Sequence, residues 1–242
     1  MQSNKQPSRI PKSKEEASPA ATFFIVVIVT GVLIAVGSIV LLQENVWVAG
    51  QKLWLVSRAA AIAAYLVLTV VVVLGILLSH PRNKDTWRWT PYLLPWHQAL
   101  IATMFSLIGL HLFFTGADPK SGIPWSGLLF PLHARYHPVA MMAGAAGLYF
   151  LILVGTTAGL RKWTRQWLPV HRLSWIVWLF IFAHGFLGGT DAVALRPLYI
   201  VTGAIVFLGV FTRHWTSTER RRTSLSNERD AVAENGNGGM SS

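Results

Sequence analysis

The sequence predicts an all-α fold, an integral membrane bundle of six transmembrane helices with both termini cytoplasmic. Three observations carry that expectation. Of the 242 residues, 52% are hydrophobic and only 13% charged, and the mean hydropathy is +0.45. A soluble domain averages nearer a quarter charged. Six apolar stretches each approach the ~20 residues that cross a bilayer as helix. They lie at about 22–42, 54–78, 95–115, 139–159, 169–187 and 196–212. Finally, Lys and Arg divide unevenly between alternate connections, 16 on one face against 5 on the other. By the positive-inside rule the richer face, with both chain ends, is cytoplasmic.

In chain order, residues 1–21 are polar and contain prolines, which predicts a disordered cytoplasmic tail. No A-x-A-like cleavage site follows the first apolar run, so that run is expected to stay as a helix. Proline falls in or beside most connections, as at Pro81, Pro95, Pro131, Pro138, Pro169 and Pro197, where it suits a helix start or a turn. The basic segment "RKWTRQW" in the fourth connection reads mainly as a topology signal, and secondarily as a docking surface for an electron donor. Residues 22–213 form the membrane domain. Residues 214–242 are polar and predicted disordered. There is no internal repeat.

Composition also excludes chemistry. With no cysteine, the chain has no disulfide, thiolate zinc site, iron–sulfur cluster or catalytic thiol. The net charge of +11 is accounted for by topology, and no nucleic-acid partner is expected. No Ser/His/Asp or paired-carboxylate set lies within the spans, and the nearest acids, Asp118 and Asp191, fall in exterior loops.

Ionisable side chains inside a bilayer are costly and are functional candidates by default. Four histidines lie in or at the ends of the spans. His97 and His111 are 14 residues apart on the third, and His171 and His184 are 13 apart on the fifth. Both spans run from cytoplasm to exterior, so His97 and His171 share one depth, and His111 and His184 another. The two levels are about 20 Å apart at ~1.5 Å per residue. An iron porphyrin takes two axial ligands on opposite faces, and neutral imidazole suits iron. Fourteen residues at ~100° each return to within about 40° of one helix face, whereas thirteen miss by about 140°. Reconciling His171 with His184 therefore calls for an irregular start to the fifth helix near Pro169.

These features resemble the ferric reductase-like transmembrane domain superfamily, which includes NADPH oxidases, ferric reductases and the haem subunit of the bacterial methionine sulfoxide reductase system. The resemblance covers about residues 50–212. It rests on "WLVSRAAAIAAYLVLTVVVVLGILLSH", on the His97/His111 pair, and on "GLYFLILVGTTAGLRKWTRQWLPVHRLSWIVWLFIFAHGFLGGTD". It implies His97 with His171 on an inner haem b and His111 with His184 on an outer haem b, both non-covalent. It also implies Arg58 beside the outer haem, where guanidinium and propionate make charge-assisted bonds.

The oxidases and ferric reductases carry a flavin and nicotinamide module, but this sequence has no glycine-rich nucleotide fingerprint after a strand, and no FAD or NADPH site is expected. The resemblance is thus to a stand-alone haem subunit in the cell membrane. Its electron donor would be a separate cytoplasmic flavoprotein or a quinone. Its exterior acceptor would be ferric iron, oxygen or a redox protein. The alternative is a haem-free transporter or structural membrane protein with histidines in a polar pathway. Transporter sites favour internal symmetry, and the missing repeat counts against it.

Other histidines read as ordinary. His133 and His137, four apart in "HARYHP", would share a helix face and could hold a metal ion, but Pro131 and Pro138 confine any helix there to about a turn. His80 and His214 sit at helix ends on the cytoplasmic side. Trp54, Trp96 and Trp215 fit interfacial belts, and Trp175 and Trp178 could pack near a haem but fit core or lipid-facing packing better.

Overall fold

The computed structural model describes residues 19–42, 51–130, 137–163, 165–189 and 191–238. Among them there is helix and no strand. The long helices are α1 (Pro19–Leu42), α2 (Lys52–Ser79), α4 (Thr90–Ala117), α6 (Pro138–Gly159), α8 (Ser174–Gly188) and α9 (Arg196–Gly238). Short helices α3 (Pro81–Thr86), α5 (Trp125–Leu129) and α7 (Trp167–His171) occupy the connections. Five segments among the described residues are long and apolar enough to cross a membrane: α2, α4, α6, α7 with α8, and α9 as far as Arg229.

Proline sets several helix starts. Pro91 and Pro138 stand in the first turns of α4 and α6, where a missing N–H costs no intrahelical bond. His80 ends α2 in extended conformation because Pro81 follows it.

The surface is that of a membrane protein. Ile28, Leu33, Ile200 and Leu208 are each more than 60% exposed, whereas the buried core mixes Val and Ala with Leu, Met and aromatic side chains. Apolar surface on that scale is suited to lipid rather than water. The core gathers Tyr65, Leu68 and Val72 of α2, Met104 of α4, Leu151 and Val154 of α6, Trp178 of α8 and Val206 of α9. The most extensive packing is α2 on α4 and α6 on α8, and α2 also touches α8 and α9. α1 lies against α4, where Ser106 donates to the Val27 carbonyl at 2.7 Å.

The apolar stretch expected at 169–187 has an irregular start, as the spacing of His171 and His184 called for: α7 ends at His171 and α8 begins at Ser174. One expectation meets a different outcome. At the far end of the chain, where polar composition predicted disorder from 214, α9 continues as helix to Gly238. Serine and threonine there satisfy their hydroxyls within the helix, as Thr216, Ser217 and Thr218 do on carbonyls four residues back. Trp215 also bonds Glu219 at 2.6 Å, and Glu, Arg and Ala are good helix formers. Most of the predicted N-terminal tail, residues 1–18, lies outside the described residues.

Candidate functional site

The four candidate histidines, two on α4 and one each on α7 and α8, meet as two pairs. His97 of α4 faces His171 at the end of α7, with ring centroids 6.3 Å apart. His111 of α4 faces His184 of α8, with centroids 6.5 Å apart. The pairing is the one that depth alone predicted.

The break in the fifth span is what lets His171 take part. Leu173 bonds the carbonyl of Val170 and Ile176 that of Leu173, both three residues back. Such steps turn about 120° per residue instead of ~100°. The extra rotation runs in the direction that reduces the 140° shortfall of a regular helix.

Hydrogen bonds orient three of the rings. Nδ1–H of His97 donates to the Val71 carbonyl at 3.1 Å. That of His111 donates to the Ser57 carbonyl at 3.1 Å, with Ser57 Oγ also 2.9 Å away. That of His184 donates to the Ala140 carbonyl at 2.8 Å. A carbonyl can only accept, so each bond places the proton on Nδ1 and leaves the Nε2 lone pair for another partner. Nδ1 of His171 is buried without a hydrogen-bond partner among the described residues. Ser57 is itself tied to Thr115 Oγ1 at 2.6 Å, and Thr115 to the His111 carbonyl at 2.7 Å.

The ring spacing has a chemical meaning. An imidazole nitrogen bonds a transition metal at about 2.0–2.1 Å, and the ring centre lies about 1.1 Å behind it, so two trans imidazoles on one metal stand about 6.3 Å apart, centre to centre. Both pairs have that spacing. The helices leave room for it, since α4 packs chiefly on α2 and α8 chiefly on α6. A cavity of about 480 Å³ holds the His111/His184 pair among Tyr65, Leu68, Leu151 and Ile181. That size lies within the range of small-molecule and cofactor pockets.

Glycine makes the approach of α8 to α6 possible. A Cβ on Gly144 would stand 2.6 Å from His184 Nδ1, and one on Gly147 would stand 2.6 Å from Ile181 Cδ1.

Trp178, about midway along the chain between His171 and His184, lies in the buried core with Tyr65. Trp178 is 1% exposed and donates to Thr69 Oγ1 at 2.9 Å. Thr69 donates to the Tyr65 carbonyl, and the Tyr65 hydroxyl bonds Thr202. Trp178 therefore packs in the core, one of the environments expected for it.

Arg58 lines the same cavity as His111 and His184 and forms an ion pair with Asp191. Its guanidinium lies 4.2 Å from the Trp54 ring centroid. Lys120 and His137 line the same cavity. His133 falls outside the described residues. Among those described, no three His, Cys, Asp or Glu side chains gather as a metal site. At the opposite end of α2, Lys84 lies close enough to Arg172 and Arg213 to feel their charge. Its ammonium pKa is lowered, first by burial and then by those two cations.

Sequence reasoning missed Ser57, Thr69, Gly144 and the pairing of Asp191 with Arg58. Small polar residues interrupting the apolar run of α2 were the available signal for the first two. Comparison with known proteins adds no relative: no family model, curated protein or solved structure matches the chain.

Proposed function

We propose that the chain is the membrane subunit of a ferric reductase-like oxidoreductase and carries electrons across the cell membrane through two non-covalent haem b groups. The observation that carries this reading is the repeated geometry of two histidine pairs, each at the spacing two imidazoles on one metal would have, one His of each pair on α4 and the other on α7 or α8. A histidine serving only as a polar core residue has no need of a partner ring at that distance.

Haem iron, when bound, supplies a one-electron couple at each level. The protein's own contribution is the rest. His97 and His171 hold the inner group, and His111 and His184 the outer. The carbonyls of Val71, Ser57 and Ala140 fix ring orientation and raise the basicity of three of the four ligands. Trp178, Thr69 and Tyr65 are buried and joined by hydrogen bonds in the core beside these pairs. Arg58 stands at the outer cavity for a propionate.

The topology of this reading has six spans. α1, with 24 residues, is about 36 Å long at 1.5 Å per residue and suffices as the first. Both termini are cytoplasmic, which puts Lys84, Arg172 and Arg213 inside and Arg58 and Lys120 outside. Electrons enter from a separate cytoplasmic flavoprotein or a quinone. They leave to ferric iron, oxygen or a redox protein outside.

The visible spectrum of the purified chain, oxidised and dithionite-reduced, tests the proposal. A reduced b-type spectrum is expected. A colourless protein would turn the assignment toward a haem-free transporter or structural protein.

A further inference from the structure

The mouth of the outer cavity carries a charge arrangement that ligand pairing alone does not explain. Its lining contains two fixed cations, Arg58 and Lys120, and one acid, Asp191. Arg58 is held on both sides, by the ion pair with Asp191 and by the Trp54 ring. A guanidinium has five N–H donors and can bond more than one acceptor group.

Lys120 is held in register with His111. Asp118 ends α4 seven residues after His111, a rise of about 10 Å, and its backbone N–H bonds the Phe114 carbonyl. Asp118 is buried, and its Oδ1 accepts from the Lys120 backbone N–H at 3.0 Å. Ser121 N–H bonds the Asp118 carbonyl, and Gly122 closes the turn in left-handed conformation at φ 64°. The turn thus sets the start of the Lys120 side chain about two helical turns beyond the histidine, at the rim of the same cavity.

We propose that Lys120 and Arg58 together form a two-cation cradle for the dicarboxylate edge of the outer porphyrin, with Lys120 taking the second carboxylate and Asp191 acting as the positioning residue for Arg58. This rests on the haem reading above. The chemistry is complementary. Two carboxylates at the water-facing end of an apolar cavity meet one planar, bidentate donor and one ammonium, which recognises a carboxylate as a point charge. Asp191 keeps Arg58 from swinging out to solvent and offsets part of the positive field.

The signs of the electrostatic effects differ, and that makes the assignment testable. A cation near a haem favours the reduced iron and an anion the oxidised iron. Removing the Lys120 charge therefore lowers the outer midpoint potential, and removing the Asp191 charge raises it.

The experiment uses the full chain purified with haem, alongside Lys120→Gln and Asp191→Asn. Spectroelectrochemical titration should show opposite shifts of the outer component, with the inner component unmoved. Each protein is then stripped and reloaded with protohaem or its dimethyl ester, whose carboxylates carry no charge. Lys120→Gln should weaken retention of outer protohaem several-fold and leave retention of the ester unchanged. Equal weakening of both, no change in either, or shifts of the same sign in the two variants would overturn the cradle. A wild-type chain that binds no protohaem at all would instead overturn the haem reading beneath it, and the cradle with it.

Discussion

Replacing Gly144 with alanine adds one methyl group against the His184 ring. The new Cβ would stand 2.6 Å from Nδ1, below the 3.0 Å floor of real Cβ contacts and 0.8 Å inside the 3.4 Å at which ordinary contact begins. The imidazole therefore has to move by at least 0.4 Å, the difference between 3.0 and 2.6. Ligand geometry tolerates only about 0.5 Å. The same shift strains the bond from Nδ1–H to the Ala140 carbonyl, since that atom is the one struck. Overpacking of this kind costs about 1–3 kcal/mol, which corresponds to roughly a 5- to 150-fold loss in affinity if it falls on the outer site. The inner pair has its own ligands and no contact with Gly144, so its haem should be retained. The assay is haem content with low-temperature EPR of the purified variant, which should show one unchanged low-spin signal and one lost or altered. Gly109→Ala is the control, because a Cβ there meets nothing within 4 Å. Two unaltered low-spin signals in Gly144→Ala would refute the placement of His184 as a ligand packed on α6.

Histidine substitutions should fall into two classes. His97→Ala and His171→Ala should alter the inner EPR signal, and His111→Ala and His184→Ala the outer, whereas His133→Ala should leave haem content unchanged. Pairing of His97 with His184 by phenotype would contradict the break at Arg172 and Leu173. Trp178→Ala removes the largest fully buried side chain among the described residues, together with the N–H that Thr69 Oγ1 accepts, and it should destabilise the chain by roughly 3–5 kcal/mol, read as a lowered thermal midpoint in detergent. A reporter that works only in the cytoplasm, fused after Ser242, should be active, and activity of a periplasm-dependent reporter there would invert the proposed donor and acceptor sides.

Five of the six expected spans and the histidine pairing were legible because both follow from simple periodicities. Hydropathy over about twenty residues marks a crossing, and a spacing of 14 returns His97 and His111 to nearly one face. The spacing of 13 was not legible in the same way. Its resolution depends on three-residue hydrogen bonds around Leu173, which leave no mark in composition beyond a nearby proline. The Arg58–Asp191 pair joins residues 133 positions apart, and the Ser57–His111 bond joins residues 54 apart. No local pattern encodes such partners. The tail beyond 213 was misjudged for another reason. Polarity argues against a packed core but not against a solitary helix, and Thr216, Ser217 and Thr218 satisfy their hydroxyls inside one.

Haem stoichiometry bears most directly on the central claim. Pyridine haemochrome assay of the purified chain should give about two haems per polypeptide. The double variant His111→Ala, His184→Ala should give about one, with the remaining haem still low-spin. A wild-type ratio near zero, or a double variant that keeps two low-spin haems, would contradict the account.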